Sequence, residues 1–146
     1  MRPAIVALVL ALALLAGCDS GDAMEEPSPA AEEKRVVRQW ITALNEGDYR
    51  QAARYFAKGA IVDQGQPIKL RDAAAARLFN ASLPCRATLT AVEDEPGPKA
   101  LASFALRAGP GGPCDGTVKV RVTIEDGRFT EWRQLPEAPE PTGPVV

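Results

Sequence analysis

The stretch VKVRVTIEDGRFTEW, residues 118–132, decides the fold of this chain. Valine and isoleucine alternate with charged or polar residues up to Ile124, which is typical of a strand with one buried face. Asp126-Gly127 is a favoured pair for a two-residue hairpin turn, and a second strand follows from Phe129 to Leu135. The sequence therefore predicts an antiparallel hairpin.

Two more strands precede this hairpin. Small apolar and polar residues alternate over residues 86–91, and a Pro96-Gly97-Pro98 turn leads into a second apolar stretch at 101–107. The glycine- and proline-rich residues 109–113 then separate these strands from the hairpin. The second half of the chain is therefore predicted to be a four-stranded antiparallel sheet.

The first half of the domain has helical periodicity instead. Apolar residues recur at helical spacing from Val36 to Leu44, and Gly47 supplies a stop. Asp48 is predicted to cap a second helix whose apolar face extends to Phe56 and which ends at Gly59.

Short strands are predicted at residues 60–62 and 68–70, separated by a turn at 64–67. Asp72 can then cap a third helix that runs to about Phe79. The predicted order is helix, helix, strand, strand, helix and four strands, which is an α+β fold.

Three segments carry a family resemblance: WITALNEGD at residues 40–48, AARYF at 52–56 and DGRFTEW at 126–132. With this order of elements, residues 32–135 resemble the nuclear transport factor 2-like, or SnoaL-like, family. The resemblance implies a curved, mostly antiparallel sheet wrapped around three N-terminal helices as a cystatin-like cone that can hold a small ligand. The family includes isomerases, dehydratases, cyclases and non-catalytic interaction domains, so the resemblance leaves function open.

The N-terminus has the pattern of an export signal. Arg2 precedes an apolar run at residues 4–15 that is short for a membrane-spanning helix. The run ends in Leu-Ala-Gly-Cys at 15–18, which resembles the lipobox of bacterial lipoproteins. Residues 1–17 are therefore predicted to be a signal peptide and Cys18 a lipidated N-terminus. The alternative is a plain secretory signal with an incidental cysteine.

This interpretation predicts the location and the tether of the protein. A lipid on Cys18 would hold the chain at a membrane in the bacterial envelope, on the periplasmic or extracytoplasmic side. Residues 18–31 and 136–146 contain few large apolar residues and several prolines. Both segments are predicted to be disordered, the first as a tether and the second as a tail, around a domain at 32–135.

Composition excludes several functional classes. The 146 residues include 17 Lys and Arg, 19 Asp and Glu, and no His. The near-neutral charge argues against a nucleic-acid partner and against a polybasic membrane patch. Without histidine, catalytic relays of the Ser-His-Asp and Cys-His types and His-based zinc sites are excluded. We expect no cofactor and no metal.

Cys85 and Cys114 remain once Cys18 is assigned to lipid. An exported domain folds in an oxidising compartment, and the two cysteines flank the same predicted strand pair. They are predicted to form a disulfide; two free thiols are the alternative.

Three residues are candidates for catalysis. Asp63 and Glu131 could place a carboxylate in the cone as a general base, with Tyr55 as a hydrogen-bond donor. Each also has a structural explanation: Asp63 as a turn residue, Tyr55 as core packing, and Glu131 as an outward residue if a bulge shifts its strand.

The hairpin register makes a further prediction. A regular two-residue turn places Phe129 opposite Ile124, Glu131 opposite Val122, and Trp132 opposite Arg121. Trp132 would then lie on the outer face of the sheet with Arg121, either at the centre of a homodimer interface or flat over Arg121 in a monomer.

These observations predict a lipid-anchored envelope protein whose domain binds a small apolar molecule or another protein without catalysis. An isomerase, dehydratase or cyclase using Asp63 or Glu131 is the first alternative. A dimeric structural scaffold is the second.

Overall fold

The computed structural model describes residues 28–137. Three helices and six strands follow one another in the predicted order. The elements are α1 Pro29–Glu46, α2 Tyr49–Ala53, β1 Phe56–Asp63, β2 Pro67–Lys69, α3 Ala73–Ser82, β3 Arg86–Glu95, β4 Lys99–Arg107, β5 Thr117–Glu125 and β6 Arg128–Gln134. The strands form one curved, unclosed sheet in the order β2-β1-β6-β5-β4-β3, in which only the β1–β6 pair is parallel. The α+β prediction is confirmed.

Caps fix where the helices begin. The side chains of Asp48 and Asp72 accept hydrogen bonds from backbone N–H groups at the starts of α2 and α3, as predicted. Ser28 caps α1 in the same way, with Pro29 at the first helical position. The helix α1 therefore begins three residues before the boundary predicted at residue 32.

The prediction that α2 extends to Gly59 is wrong. The helix ends at Ala53, and Phe56 already belongs to β1. The backbone N–H of Phe129 donates to the carbonyl of Tyr55 at 2.7 Å, which draws this segment into the sheet beside β6. Gly59 lies within β1 at φ +83°, a conformation that favours glycine. Pairing with β6 therefore overrides the local helical pattern.

Trp40 of α1 lies at the centre of the core. Its indole N–H donates to Asn80 Oδ1 at 2.8 Å, and the Asn80 amide donates to the Ala76 carbonyl within α3. Asn80 is fully buried, so this bond satisfies two polar groups that water cannot reach. Edge-to-face aromatic contacts at centroid distances of 5.6 to 6.2 Å join the Trp40 ring to Phe56, Phe104, Phe129 and Trp132.

The β5–β6 hairpin contains a β-bulge that changes its register. Phe129 pairs with Ile124 as predicted, but Glu131 pairs with Thr123 and Trp132 with Val122. Thr130 is the extra residue at the shift. The predicted pairings of Glu131 with Val122 and of Trp132 with Arg121 are therefore wrong. Beyond the bulge, Trp132 points into the core and is 4% exposed.

The disulfide between Cys85 and Cys114 is present, with a Cα–Cα distance of 5.9 Å. It joins the start of β3 to the loop between β4 and β5. That loop passes close to residues 84–86: a Cβ at Gly109 would lie 2.6 Å from the Arg86 nitrogen, and one at Gly111 would lie 2.4 Å from the Pro84 Cβ. Both positions therefore require glycine.

Replacing Cys85 or Cys114 by serine should lower the free energy of unfolding by about 3 to 4 kcal/mol, because the disulfide closes a long loop of the unfolded chain. Denaturant unfolding of the oxidised protein measures this. Either single variant and the double variant should be destabilised equally, since each removes the same bond. Two alkylatable thiols in the native oxidised protein would contradict the assignment.

Asn80→Ala should destabilise the fold by about 1 to 3 kcal/mol, because it leaves the buried N–H of Trp40 without an acceptor. A double-mutant cycle measured by denaturant unfolding isolates this bond. In a Trp40→Phe background there is no N–H to satisfy, so Asn80→Ala should cost less. Equal costs in the two backgrounds would show that the bond contributes nothing.

Candidate ligand cavity

A cavity of about 260 Å³ lies between the C-terminal half of α1 and the inner face of the sheet. Strand alternation points residues of β4, β5 and β6 into it. The bulge at Thr130 adds Trp132 and Gln134, which a regular hairpin would have turned outward. The lining residues are Trp40, Ile41, Leu44, Gln64, Leu83, Pro84, Cys85, Ala87, Phe104, Leu106, Val118, Val120, Trp132 and Gln134.

Aromatic and aliphatic side chains make up most of this lining. The indole of Trp132 packs edge-on against Trp40 and Phe79. Cys85 contributes to the wall through its disulfide, which ties the wall to the β4–β5 loop. The cavity is therefore bounded by parts of the fold that are held by packing and by a covalent bond.

Few polar groups line the cavity. The Gln64 amide donates to Gln134 Oε1 at 3.2 Å. The indole N–H of Trp132 is buried and has no hydrogen-bond partner within residues 28–137. A buried donor without an acceptor costs free energy. Trp132 therefore offers a hydrogen bond to any acceptor that reaches its N–H group.

The lining contains no carboxylate, lysine, arginine or tyrosine among the described residues. Those residues also include no group of three or more side chains that could hold a metal ion. General acid–base catalysis needs a titratable group within hydrogen-bond reach of the reacting atoms. The arrangement can bind and shield a molecule, but its walls provide no group for proton transfer.

Asp63 and Glu131 lie on the outer face of the sheet. Their neighbours Val62 and Trp132 pair with each other on the inner face, so alternation turns both carboxylates outward. Asp63 accepts from the Gly65 N–H at 2.9 Å and from Arg133 at 2.8 Å. Glu131 accepts from Arg133 at 2.6 Å, and this bond raises the pKa of the Arg133 guanidinium. Placing these carboxylates in the cavity was therefore wrong.

Tyr55 lies apart from both carboxylates. Its hydroxyl is 3.4 Å from Gln39 Oε1 and 3.4 Å from the Gln51 amide, between α1 and α2. The structure therefore brings Asp63 and Glu131 together through Arg133 but does not bring Tyr55 to them.

Trp132 and Arg121 are on opposite faces of the sheet, so the predicted contact between them is wrong. Arg121 instead makes a bidentate pair with Glu95, with bonds of 2.6 and 2.9 Å, which lowers the pKa of the Glu95 carboxyl. Homodimer formation stays a prediction, without an exposed Trp132 to support it.

The sequence interpretation missed Gln64, Gln134 and Trp132 as lining residues. The observed register places Trp132 and Gln134 on the inner face of the sheet. This register depends on a bulge, and residues 128–134 contain no glycine or other local feature that predicts one. Gln64 was read only as a turn residue.

No family model matches the chain, and no curated protein matches it. Among solved structures, a putative ketosteroid isomerase from Kribbella flavida is similar with a TM-score of 0.59 and 24% identity, over 75% of this chain and 82% of that one. A putative polyketide cyclase from Sinorhizobium meliloti gives 0.57 and 21%, over 69% and 94%. An LEH-like epoxide hydrolase of M. tuberculosis gives a TM-score of 0.58 and 22% identity, over 72% of this chain and 82% of that one.

Other similar structures are described as nuclear transport factor 2-like and cystatin-fold proteins, from Cytophaga hutchinsonii and Novosphingobium aromaticivorans, with TM-scores of 0.58 and 0.57. Their identities to this chain are 12% and 16%, over 70% of this chain in both cases and over 87% and 96% of theirs. The described domain has the nuclear transport factor 2-like fold. At these identities, the similarity between this chain and the solved structures shows a shared fold only. Within residues 28–137, no helix is long and apolar enough to span a membrane.

Proposed function

We propose that this chain is a lipid-anchored protein of the bacterial envelope whose nuclear transport factor 2-like domain binds a small, uncharged, mostly apolar molecule without catalysing a reaction. The observation that carries the proposal is the cavity beneath α1, whose described lining is mostly aromatic and aliphatic and holds no titratable group. Transfer of an apolar molecule from water to such a lining is favourable, whereas a charged molecule would be desolvated there without a counterion.

The size and the polar groups of the cavity restrict the class of ligand further. Its volume of about 260 Å³ is just below the range of about 300 to 1,000 Å³ typical of ligand sites, which favours a compact molecule. The side-chain amides of Gln64 and Gln134, which line the cavity, offer hydrogen bonds to a neutral oxygen. A ketone, ester or ether with an apolar body has this chemistry.

Ligand binding should change the tryptophan fluorescence, because the chain has 2 Trp and both line the cavity. Titration with cyclohexanone as a neutral probe should give a saturable change, whereas cyclohexylamine and cyclohexanecarboxylate should give none. Val118→Phe narrows the cavity and should weaken binding at least about tenfold, because steric exclusion removes the contacts that hold the probe.

Val92→Phe is the matched control, since Val92 is a partly buried valine outside this cavity. Identical titrations of the two variants would contradict the proposed site. Mass spectrometry of small molecules that co-purify with the protein would identify the natural ligand directly.

The anchor is proposed from the Leu-Ala-Gly-Cys motif that ends at Cys18. The first residue of α1, Pro29, follows Cys18 by 11 residues. A fully extended chain spans about 3.6 Å per residue, so the domain could lie no more than about 40 Å from a lipid on Cys18. This distance would keep the domain close to the membrane surface.

Cys18→Ala should move the protein from the membrane fraction to the soluble fraction or leave it unprocessed, because no thioether-linked lipid can form. Fractionation of the envelope and intact-mass measurement of the full chain check this. Ser20→Ala is the control and should stay membrane-bound. A Cys18→Ala protein that is processed normally and remains membrane-bound without acyl mass would overturn the anchor.

A further inference from the structure

A second depression, here called the basic cleft, lies away from the ligand cavity on the side of α2 and α3. It has a volume of about 520 Å³ and is bounded by α2, the start of β1, the start of α3 and the start of β6. Its charged lining residues are Arg50, Arg54, Lys58, Arg77, Arg128 and Asp72. Five positive charges therefore surround one carboxylate.

These positive charges have no directly paired carboxylate within residues 28–137. None of the five basic side chains forms a salt bridge there. The carboxylate of Asp72 accepts from the Ala75 N–H at 2.9 Å as the cap of α3. Glu125 and Asp126 lie beside Arg128 in an adjoining depression. Five basic residues against one acidic residue leave the lining of the cleft with an excess of positive charge, although the net charge of the chain is -2.

The start of α3 adds to this potential, since Ala73 and Ala74 line the cleft in its first turn. The N-terminal end of a helix carries a partial positive charge. A concave surface lined by positive charges focuses their electrostatic field and attracts anions into it. An anion with several negative oxygens, such as a phosphate group, matches this arrangement.

One rim of the basic cleft is at the end of the domain where α1 begins. Arg128 follows Gly127 of the hairpin turn, and a Cβ at Gly127 would lie 3.3 Å from Glu32 Oε1 in the first turn of α1. The chain that arrives from Cys18 therefore enters the domain beside this rim. A lipid on Cys18 would therefore tether the domain on the side of this rim.

An exposed leucine lies next to the cleft. Leu78 is 68% exposed and follows Arg77 on α3. Together with Arg50 and Arg77 it lines a shallow adjoining groove, which also contains Asp48, the capping residue of α2. Arginines beside an exposed leucine suit the interface of a bilayer, where phosphates and acyl chains lie at adjacent depths. A free phosphate ion or a nucleic acid would make no use of the leucine.

We propose that the basic cleft binds the phosphate groups of anionic lipid headgroups and orients the domain on the membrane, with Leu78 inserted beside them. The choice of a membrane over other phosphate carriers rests in part on the anchor proposed at Cys18. The binding itself does not need the anchor, so it can be measured without it.

The test uses the chain from residue 19 onward, which lacks Cys18 and keeps every residue of the described core. Co-sedimentation with vesicles of phosphatidylcholine and phosphatidylglycerol in equal parts should show binding at low salt, and vesicles of phosphatidylcholine alone should show none. Arg54→Glu with Arg77→Glu should weaken binding by about tenfold or more, because each basic residue near an anionic surface contributes to the attraction.

Arg38→Glu with Lys119→Glu is the matched control, because it makes the same change in net charge at exposed positions outside the cleft. It should weaken binding by about twofold or less. Leu78→Ser should also weaken binding to the anionic vesicles. Melting temperatures confirm that the variants fold, and Arg50→Glu with Lys58→Glu provides a second test of the cleft.

Three results would overturn the proposal. The first is no binding to anionic vesicles at low salt. The second is an equal loss in the cleft and control variants, which would assign the attraction to net charge. The third is displacement by inorganic phosphate, but not by sodium chloride of the same ionic strength, together with no effect of Leu78→Ser. That result would assign the cleft to a free phosphate. Since this chain lacks Cys18 and no cavity probe is added, none of these results decides the anchor or the cavity ligand.

Discussion

The hydrogen bond from Trp40 to Asn80 is the constraint on which the rest of the structure depends. It fixes the rotation of the α1 indole, whose edges and faces then meet rings from β1, β4 and β6. Asn80 is in turn held by the backbone of its own helix, α3. One buried polar pair therefore sets the distance between two helices and the inner face of the sheet, and the aromatic rings fill the space that this distance leaves.

The ligand cavity occupies the part of the cone that these rings do not fill. Trp40 and Trp132 form its inner end, while aliphatic residues of β4 and β5 and the disulfide at Cys85 form its sides. The charges of the central strands are gathered instead on the outer face, where Arg133 joins Asp63 to Glu131 and Arg121 binds Glu95. The charged groups of the central strands and the described lining of the cavity are therefore on opposite faces of the sheet.

Local signals predicted most of the architecture. The turn at Asp126-Gly127 and the caps at Asp48 and Asp72 act through neighbouring residues. The two cysteines flank one strand pair in the sequence, so the topology brings them to the same end of it. The order of elements followed from them.

The structure of two segments could not be predicted from local signals, because contacts with distant residues decide it. The segment around Phe56 has a helical pattern but pairs with β6, and the Thr130 bulge appears only when the burial of Trp132 against Trp40 is weighed. The predicted register lacks the extra residue at Thr130. It therefore places Glu131 on the inner face and Trp132 on the outer face, which is the reverse of the structure. The interface hypothesis and the choice of Glu131 as a catalytic base depended on that predicted register.

Because of the same bulge, the face to which each side chain of β6 points depends on the number of residues in the strand and not on their identity. Replacing Thr130 by another residue leaves the count of residues unchanged, so Trp132 still faces the core. Loss of that single position would restore simple alternation, bring Glu131 and Arg133 under α1 and expose the indole. Among natural variants of this domain, insertions and deletions in β6 should therefore be rarer than substitutions on its outer face.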